Sequence, residues 1–561
     1  MVLLNKKNRE RKMRLYWLIG LWPSTCVSNR ATSYKQMEKL SDIENFLIQR
    51  IEAELQKEET KLSLAKNHLG HLKEERVVKN KTGSNYLAHP VNQYKLIRRF
   101  TDDWKEISNS LNGASNSQQL INDITSISDK VIDTSSDEIA QDGILRLQTT
   151  YFIGSDEFQS GQIGYLDSIG SPISRTSPKL SARDCYDIGR RGYLNSAPTR
   201  IVRDWMETAL RLVDPINDEE LYIVILDHLA FTWSKMGNTN AALKYYLKLS
   251  ELRPDDTRFK SNINHYRTQL RAKWRVTGDD GKDGIEFDPM STSANDNPSV
   301  RDETKAYETI CRLPNSYNPS DAEKLKCFYW HNDEPFLRIG PIKAEMLWHE
   351  PEFIRFYDII SPKEVEIIDR LSKPISHYST VQDPTTGELV NAHYRISEAA
   401  WLTAKSASAD DQAIRRFRRR ISLITGLTME RAEDVQYSNY GIGGQYEPHF
   451  DHATENDVGQ FDEIDGNRIA TWLTYLTQPI AGGDTAFIVP GIKAEPIARS
   501  AVFWYNLLRD GRSDNRTRHA ACPVLAGEKS VSNIWFHERG EEFTRKCLPE
   551  QTDKSTLKMF P

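Results

Sequence analysis

Two side chains suited to metal binding end the segment Tyr440-Gly-Ile-Gly-Gly-Gln-Tyr-Glu-Pro-His-Phe-Asp451. The imidazole of His449 and the carboxylate of Asp451 are two positions apart, and residues so spaced on a β-strand point to the same face. His519, in Thr-Arg-His-Ala-Ala-Cys-Pro, offers a third ligand. Two histidines and one carboxylate on one side of a metal ion leave other positions open, which is typical of non-haem Fe(II) oxygenases.

A cation, Lys529, follows in Ala-Gly-Glu-Lys-Ser and indicates that the co-substrate is an acid. Taken alone, His519 could be a loop histidine and Lys529 a solvated surface amine, but their order and spacing together favour one site. The alternative is hydrolysis at Zn2+, which also uses two histidines and a carboxylate but needs no fixed cation. A second His-x-Asp, His331-Asn-Asp333, is interpreted as a solvated turn.

Short runs of aromatic and β-branched residues surround the candidate ligands and predict the strands that position them. Gly441, Gly443 and Gly444 predict a tight turn before His449. The strand-like runs lie at residues 432–440, 468–476, 501–507 and 530–537. Many short strands separated by turn residues predict a sandwich or a jelly-roll barrel, whose mouth is a common ligand position.

The span from about Phe353 to Phe543 resembles the catalytic domain of the collagen-type prolyl 4-hydroxylase α subunit, a 2-oxoglutarate/Fe(II) dioxygenase family. Motifs of this length are specific, so we predict a double-stranded β-helix (jelly-roll) domain over residues 345–548. The matching phrases are Gly443-Gly-Gln-Tyr-Glu-Pro-His-Phe-Asp451, Gly466-Asn-Arg-Ile-Ala-Thr-Trp-Leu473, Ala501-Val-Phe-Trp-Tyr-Asn-Leu507, Thr517-Arg-His-Ala-Ala-Cys-Pro-Val-Leu525 and Trp535-Phe-His-Glu-Arg-Gly540.

This resemblance implies that His449, Asp451 and His519 bind iron and that Lys529 pairs with the C5 carboxylate of 2-oxoglutarate. Tyr440 and Tyr446 flank the glycine turn and could donate hydrogen bonds to that acid or line the substrate mouth; aromatics at the edge of the core are the equal alternative. The family hydroxylates peptidyl proline at C4 while 2-oxoglutarate is decarboxylated to succinate. O2 is the second co-substrate, and L-ascorbate restores oxidised iron. The implied enzyme is a procollagen-proline 4-dioxygenase.

The start of the chain combines a basic stretch up to Arg14 with the apolar run Leu15–Trp22, which is typical of a signal peptide over residues 1–28. A plain basic tail is the alternative. No other segment is long and apolar enough to cross a membrane. The net charge of −5 and the scattered lysines and arginines do not indicate nucleic-acid binding. We therefore expect the chain in the lumen of the endoplasmic reticulum.

Residues 32–150 are predicted to be helical and to mediate dimerisation. Apolar residues recur at steps of three and four between Gln36 and Arg76, which predicts an amphipathic helix or a coiled coil. The resemblance implies that two subunits pair through this region, and an intramolecular helical hairpin is the alternative.

A second helical block is predicted over residues 180–275. Its stretch Ile225–Pro254 is typical of a tetratricopeptide hairpin, and the family keeps its peptide-substrate-binding domain here, an aromatic groove for proline-rich chains. This chain has other residues where the family pattern has tyrosines on the first helix. The candidate groove residues are His228, Phe231, Tyr245 and Tyr266.

Six cysteines occur in the chain, and sequence alone leaves their pairing open. The resemblance implies the bridges Cys311–Cys327, within a linker over residues 276–335, and Cys522–Cys547. Cys185 would then be a buried free thiol.

Two further features bear on the compartment. Sequons at Asn80 and Asn515 are candidate glycosylation sites. The last residues are not a retrieval signal for the endoplasmic reticulum, so retention would need a partner. In this family the partner is protein disulfide isomerase, the β subunit of an α2β2 tetramer.

The sequence thus predicts an all-α N-terminal half, with coiled-coil-like helices and a tetratricopeptide-like domain, followed by the jelly-roll domain. The predicted function is hydroxylation of proline in collagen-like or proline-rich proteins. One alternative is a non-catalytic peptide-binding and assembly paralogue, which the presence of all four key side chains disfavours. The other is a hydroxylase of a non-collagen proline-rich protein.

Overall fold

The computed structural model describes residues 63–107, 136–164, 177–277, 298–382, 389–391 and 395–548, except for residues 455–463 and a few single positions. The predicted signal peptide and most of the predicted dimerisation helix lie outside these residues. Residues 69–81 are helical. Among the described helices, none is both long enough and apolar enough to cross a membrane.

Helices make up the first half of the described chain. They are α1 (Pro90–Arg98), α2 (Ser136–Tyr151), α3 (Ser155–Ser160), α4 (Ala182–Leu194), α5 (Thr199–Leu212), α6 (Glu219–Lys235), α7 (Thr239–Leu252), α8 (Thr257–Thr277) and α9 (Pro298–Arg312), with a 3-10 turn at Gly83–Ala88 and a π turn at Arg99–Asp103.

Local signals explain where these helices begin and turn. Helix α4 starts with a capping box, in which Ser181 and Asp184 each accept a hydrogen bond from the backbone N–H of the other. Helices α6 and α7 form the predicted hairpin: Gly237 adopts φ +80°, and the side chain of Asn238 accepts a hydrogen bond from the N–H of Ala241 at 2.9 Å.

The second half is rich in strands and has a few helices. The helices are α10 (Pro319–Ala322), α11 (Pro335–Ile339), α12 (Pro362–Ser372) and α13 (Ala409–Thr425), with 3-10 turns at Lys373–Ile375 and Asn515–Thr517. The strands are β1 (Cys327–Trp330), β2 (Ile342–His349), β3 (Glu352–Phe356), β4 (His377–Tyr378), β5 (Thr380–Gln382), β6 (Leu389–Asn391), β7 (Glu398–Leu402), β8 (Val435–Tyr440), β9 (Tyr446–His449), β10 (Arg468–Tyr475), β11 (Ala481–Gly482), β12 (Thr485–Phe487), β13 (Ile492–Ala494), β14 (Ala501–Tyr505), β15 (His519–Ala521), β16 (Val524–Ala526) and β17 (Lys529–His537).

Two antiparallel sheets face each other in this half. The major sheet has the order β1-β2-β3-β14-β10-β17-β8-β7-β4, and the minor sheet has the order β13-β12-β15-β9. Short two-stranded pairs, β11-β16 and β5-β6, complete the strands. The predicted fold class, a helical first half followed by a jelly-roll domain, is confirmed.

Three apolar clusters hold the layers together. The first lies between the two sheets and includes Phe353, Phe487 and Trp504. The second joins α12 and α13 to the opposite face of the major sheet. The third begins in the helical half and continues into Ala486 and Ala520 of the minor sheet. Helices therefore cover the outer face of the minor sheet.

The structure corrects the predicted linker over residues 276–335. Helix α9 occupies part of this range, and β1 is the edge strand of the major sheet. The prediction used the Asp/Gly/Ser/Asn-rich composition of residues 278–301, whereas α9 already begins at Pro298 and β1 at Cys327.

Both predicted disulfide bridges are wrong in this structure. Cys311 is bonded to Cys522, whereas Cys327 and Cys547 are exposed free thiols. The reason is packing: α9 lies against the minor sheet, and the Tyr307 hydroxyl donates to the carbonyl of Ala521 at 3.0 Å. This contact brings Cys311, at the end of α9, beside Cys522. Cys185 is a buried free thiol, as predicted.

Candidate functional site

The three predicted metal ligands meet at one point at the edge of the minor sheet. His449 and His519 are directly paired across β9 and β15, and their ring centroids are 4.4 Å apart. Asp451 lies two residues beyond the end of β9 rather than on it. Its carboxylate oxygens are 3.6 Å from Nε2 of His449 and 3.5 Å from Nε2 of His519. One ligand atom from each residue falls within 4.8 Å of the other two.

Backbone carbonyls orient both imidazoles. Nδ1 of His449 is 2.7 Å from the carbonyl oxygen of Glu447, and Nδ1 of His519 is 3.0 Å from that of Thr517. A carbonyl oxygen can only accept, so each Nδ1 carries the hydrogen and each Nε2 presents a lone pair. This arrangement is the usual one for metal-binding histidines.

The aspartate is held as an anion. Thr471 donates to Asp451 Oδ2 at 2.8 Å, and the amide of Asn506 donates to Thr471 at 2.9 Å. Burial alone would raise the pKa of Asp451, but the two imidazoles and Arg468 lower it below its usual range. Burial lowers the pKa of His519 to about 4, against the opposing effect of Asp451. At neutral pH the cluster therefore offers the neutral imidazole of His519 and the carboxylate of Asp451, beside the imidazole of His449.

Lys529 lines the same pocket and is only 1% exposed. Its Nζ lies 4.9 Å from the ring centroid of Tyr440, its partner across β8 and β17. Burial lowers the pKa of Lys529 to about 7, and the charge of Asp484 opposes the shift only in part. Asp484 is itself paired with Lys493 at 2.8 Å. In the described part of the chain no carboxylate is in ion-pairing distance of Lys529, so the amine can pair with an acid from solution.

The cavity at this site is small. Its volume in the ligand-free chain is about 40 Å³, which is enough for water-sized molecules. Gly483, at φ +78°, leaves space for the lysine stem, because a Cβ there would lie 3.1 Å from Cδ of Lys529. The walls that join the ligands to Lys529 are formed by Arg395, Tyr446, Thr471, Leu473, Thr485, Trp504, Val531, Asn533 and Trp535.

Sequence reasoning named Tyr446 as a residue that could line the pocket but missed the other wall residues, although two signals were present. Lys529, Val531, Asn533 and Trp535 alternate along β17, and strand periodicity places them on one face. Trp535 also lies within a matched phrase of the resemblance. Tyr446 stacks on His449, with ring centroids 3.6 Å apart, which only the structure reveals.

The other His-x-Asp is a turn, as predicted. Asn332 and Asp333 have φ values of 44° and 54°, and the backbone N–H of Asp333 donates to the imidazole of His331 at 3.1 Å.

Two of the predicted groove residues belong to a partly exposed aromatic group between α4 and α6, here called the aromatic cluster: Tyr186, Tyr193, His228 and Phe231. The ring of Tyr193 lies 5.8 Å from His228 and 5.4 Å from Phe231, edge to face in both cases. Tyr186 contacts the other side of His228 at 5.4 Å. Tyr193 is 42% exposed, so this cluster is open to a partner.

The other two candidates lie elsewhere. Tyr266 is buried and stacks on Tyr246 at 5.6 Å between α7 and α8, which makes it a core residue rather than a groove residue. Tyr245 is half-buried and hydrogen-bonds Trp233. The tyrosines Tyr186 and Tyr193 on α4 were missed, because the sequence argument considered α6 to α8 alone.

The two asparagines of the predicted glycosylation sequons both lie at the surface. Asn80 lies in the helical stretch at residues 69–81, and Asn515 begins a 3-10 turn; both asparagines are exposed.

Comparison with known proteins identifies the family. The Prolyl 4-Hydroxylase alpha-subunit N-terminal region matches residues 33–164, the Prolyl 4-hydroxylase peptide-substrate-binding domain residues 182–272, and the 2OG-Fe(II) oxygenase superfamily residues 435–537. Prolyl 4-hydroxylase subunit alpha-1 of Homo sapiens is 36% identical over 523 residues, which cover 92% of this chain and 95% of the relative. The chain belongs to the prolyl 4-hydroxylase alpha-subunit family.

Other members of the prolyl 4-hydroxylase alpha-subunit family are similarly related. The alpha-1 subunit of Caenorhabditis elegans is 35% identical over 545 residues, covering 96% of this chain and 94% of the relative. A crystal structure of the viral collagen prolyl hydroxylase from Paramecium Bursaria Chlorella virus-1 with 2OG matches 33% of this chain and 94% of its own, at 23% identity and a TM-score of 0.26.

The residues of the pocket fit the groups that the prolyl 4-hydroxylase alpha-subunit family implies, Fe(II) and 2-oxoglutarate. Two Nε2 lone pairs and one carboxylate match the donor set of a non-haem iron site with open positions. A buried ammonium group at the other end of the pocket matches the second carboxylate of a dicarboxylic acid.

Proposed function

We propose that the chain is the catalytic α subunit of a procollagen-type proline 4-dioxygenase that hydroxylates proline at C4 in proline-rich polypeptides. The observation that carries this proposal is the joint placement of the His449–Asp451–His519 cluster and the buried Lys529 in one pocket. The non-catalytic alternative is disfavoured, since all four side chains are present and oriented.

Each residue has a definite task in this reaction. His449, Asp451 and His519 would hold the metal, and Lys529 would hold the distal carboxylate of 2-oxoglutarate as its counter-ion. When bound, iron and 2-oxoglutarate together supply the oxidising power for hydroxylation with O2. Burial of the pocket excludes water, so a charge pair between Lys529 and the acid is strong: breaking such a pair costs roughly 3–5 kcal/mol.

The wall of the pocket would orient the proline. Trp535 lines the pocket and is within 6.0 Å of Trp401, measured between ring centroids. Trp401 is 42% exposed, so the two rings extend from the pocket to the surface. Flat apolar rings suit the ring of a proline in an extended chain.

The aromatic cluster is the proposed site for the rest of the polypeptide. Proline-rich chains adopt a polyproline II helix without backbone N–H donors at proline, and aromatic grooves bind this helix. Nδ1 of His228 is 2.8 Å from the carbonyl oxygen of Val224, so Nδ1 carries the hydrogen. The hydroxyl of Tyr193, beside this ring, can donate a hydrogen bond to a peptide carbonyl.

A collagen-like and a non-collagen proline-rich substrate are distinguished by testing the two classes of peptide separately. The full chain is incubated with Fe(II), 2-oxoglutarate, ascorbate and either (Pro-Pro-Gly)-type peptides or unrelated proline-rich peptides, and hydroxyproline is counted by mass spectrometry. Hydroxylation of the first class supports a collagen-like substrate, and hydroxylation of the second class alone supports the alternative. Absence of succinate and of hydroxyproline with both classes would refute the proposed function.

The partners and compartment are part of the proposal. The basic and apolar start of the chain supports entry into the endoplasmic reticulum, and the exposed Asn80 and Asn515 are compatible with glycosylation there. Retention is proposed through protein disulfide isomerase as β subunit of an α2β2 tetramer. Co-expression with a tagged isomerase tests this: co-purification in a fixed ratio supports the assembly, and separate elution contradicts it. A glycosidase-induced mass shift reports the compartment.

A further inference from the structure

Helix α2 touches the peptide-binding helices on one side. Arg191 of α4 makes two contacts with the carboxylate of Asp142, at 2.9 and 2.8 Å. The indole of Trp205, in α5, donates to Gln148 at 2.6 Å and is fully buried. Helix α2 is thus firmly attached to the helices of the peptide-binding domain.

The same helix touches the glycine turn before the metal-binding strand on its other side. The guanidinium of Arg146 donates to the carbonyl of Gly443 at 2.6 Å. Gly443 has φ +56°, and a Cβ there would lie 2.5 Å from the backbone oxygen of Gly143. The two backbones therefore approach each other as closely as glycines permit. One turn further along α2, the hydroxyl of Tyr151 donates to the carbonyl of Pro523 at 2.6 Å.

The position of Gly443 sets the geometry of the site. The backbone N–H of Gly444 closes the turn on the carbonyl of Gly441 at 3.0 Å, and the carbonyl of Gly444 accepts from the N–H of Val524 at 3.1 Å. Tyr446 follows and stacks on His449. A shift of the turn would therefore move both Tyr446 and the first metal ligand.

The partly buried position of Arg146 lowers the stability of the fold. It is the only arginine or lysine of α2, and within the described part of the chain no carboxylate lies in ion-pairing distance of it. Desolvation lowers the pKa of the guanidinium, although arginine stays charged in proteins. A charge that is partly removed from water without an ion pair destabilises the fold, and a positioning role accounts for its placement.

We propose that Arg146 is a positioning residue for the metal site: it holds the glycine turn at Gly443, and so places Tyr446 and His449. Helix α2 is then a common support for the peptide-binding helices and the metal-binding strand. This inference rests on the proposed function, because it assumes that the cluster binds a metal ion.

The test is a calorimetric titration of the metal-free full chain with Mn2+, which binds such donor sets without redox chemistry. Arg146→Met removes the donor while keeping the length of the side chain, and Arg146→Lys keeps a cation that can still reach a carbonyl. We expect Arg146→Met to weaken Mn2+ binding about ten-fold, as is found for residues that orient metal ligands, and Arg146→Lys to recover part of the loss. Arg211→Met, on an exposed arginine of α5, is the matched control and should bind like the wild type.

Gly443→Ala disturbs the same contact by adding a Cβ to the glycine turn, and it should weaken Mn2+ binding in the same way. It also decides the question if Arg146→Met does not fold, as judged by the melting temperature of the metal-free chain. Wild-type Mn2+ affinity in a folded Arg146→Met or Gly443→Ala variant overturns the inference. Absence of Mn2+ binding in the wild type instead overturns the proposed function, so the two failures are distinguishable.

Discussion

The metal pocket and the aromatic cluster are held in different ways. In the pocket, each of the three metal ligands has a partner that orients it: backbone carbonyls for the imidazoles, and Thr471 with Asn506 for the carboxylate of Asp451. In the cluster, the rings of Tyr193 and Phe231 meet edge to face at a partly exposed surface. A site that does chemistry in a buried pocket tolerates little change, whereas an open aromatic surface can exchange one ring for another.

The largest effect is expected at the carboxylate ligand. Asp451→Ala removes one of three metal donors and should lower succinate formation more than 1000-fold, on the order of 4 kcal/mol of lost transition-state stabilisation. Asp333→Ala, in the other His-x-Asp, is the control and should act like the wild type. Comparable activity in both variants would remove Asp451 from the site.

The co-substrate end of the pocket should respond next most strongly. Lys529→Met leaves the distal carboxylate of 2-oxoglutarate without a counter-ion, and should raise its KM by more than about 100-fold, with a much smaller effect on the iron requirement. Lys529→Arg keeps the charge but needs a wider space than Gly483 provides, so it should not restore full affinity. Equal effects on the iron and 2-oxoglutarate requirements would contradict the assigned role.

The lysine also predicts a pH dependence. With the pKa of Lys529 lowered to about 7 in the ligand-free pocket, the amine is charged below pH 7 and becomes neutral above it. Binding of the dicarboxylate favours the charged form, so binding above pH 7 should take up a proton and weaken by up to ten-fold per pH unit. Calorimetry of 2-oxoglutarate binding to the Mn2+ form, in buffers with different heats of ionisation, measures this uptake. Proton release on binding would show that the sign is wrong.

A smaller effect is expected one contact away from the metal. Thr471→Val removes the hydrogen bond to Asp451 and leaves Asn506 without its acceptor, and should weaken Mn2+ binding about ten-fold. The shape of the side chain is conserved, so the fold should persist. Unchanged affinity would mean that the carboxylate is held well enough by the imidazoles and Arg468 alone.

The smallest effect is expected in the aromatic cluster. Tyr193→Ala removes two edge-to-face contacts and a hydroxyl donor, and should weaken binding of a proline-rich peptide several-fold, since such contacts contribute about 0.5–1.5 kcal/mol each. Succinate formation without peptide should not change. Tyr329→Ala is the control, because it removes an exposed tyrosine ring from β1, outside the aromatic cluster. It should leave peptide binding unchanged. A loss of peptide-independent turnover in Tyr193→Ala would mean that the cluster supports the catalytic half instead.

The sequence predicted the chemistry of the site well because its determinants are local. The spacing of His449 and Asp451, the place of Lys529 just before a predicted strand, and the turn at Gly443 all follow from short stretches of chain. The predicted side-by-side placement on one strand was only partly right, since Asp451 lies past the end of β9.

What the sequence did not predict depends on packing between distant segments. The bond between Cys311 and Cys522 joins positions 211 residues apart, and it follows from the docking of α9, which no local pattern encodes. Tyr266 was predicted to line the peptide groove because it is an aromatic residue in the peptide-binding domain. The spacing of apolar residues along a helix does not show whether a neighbouring helix covers a ring. The contact between Arg146 and Gly443 was missed for the same reason.

The apolar cluster shared by the helices and the minor sheet has a practical consequence. Ala486 and Ala520 are fully buried on the sheet face that the helical half covers. A fragment that starts at residue 345 would expose this face to water and should self-associate, even though it contains every residue of the oxygenase motif. The shortest piece of the chain that stays monomeric and active is therefore expected to include helices from both sides of the motif boundary.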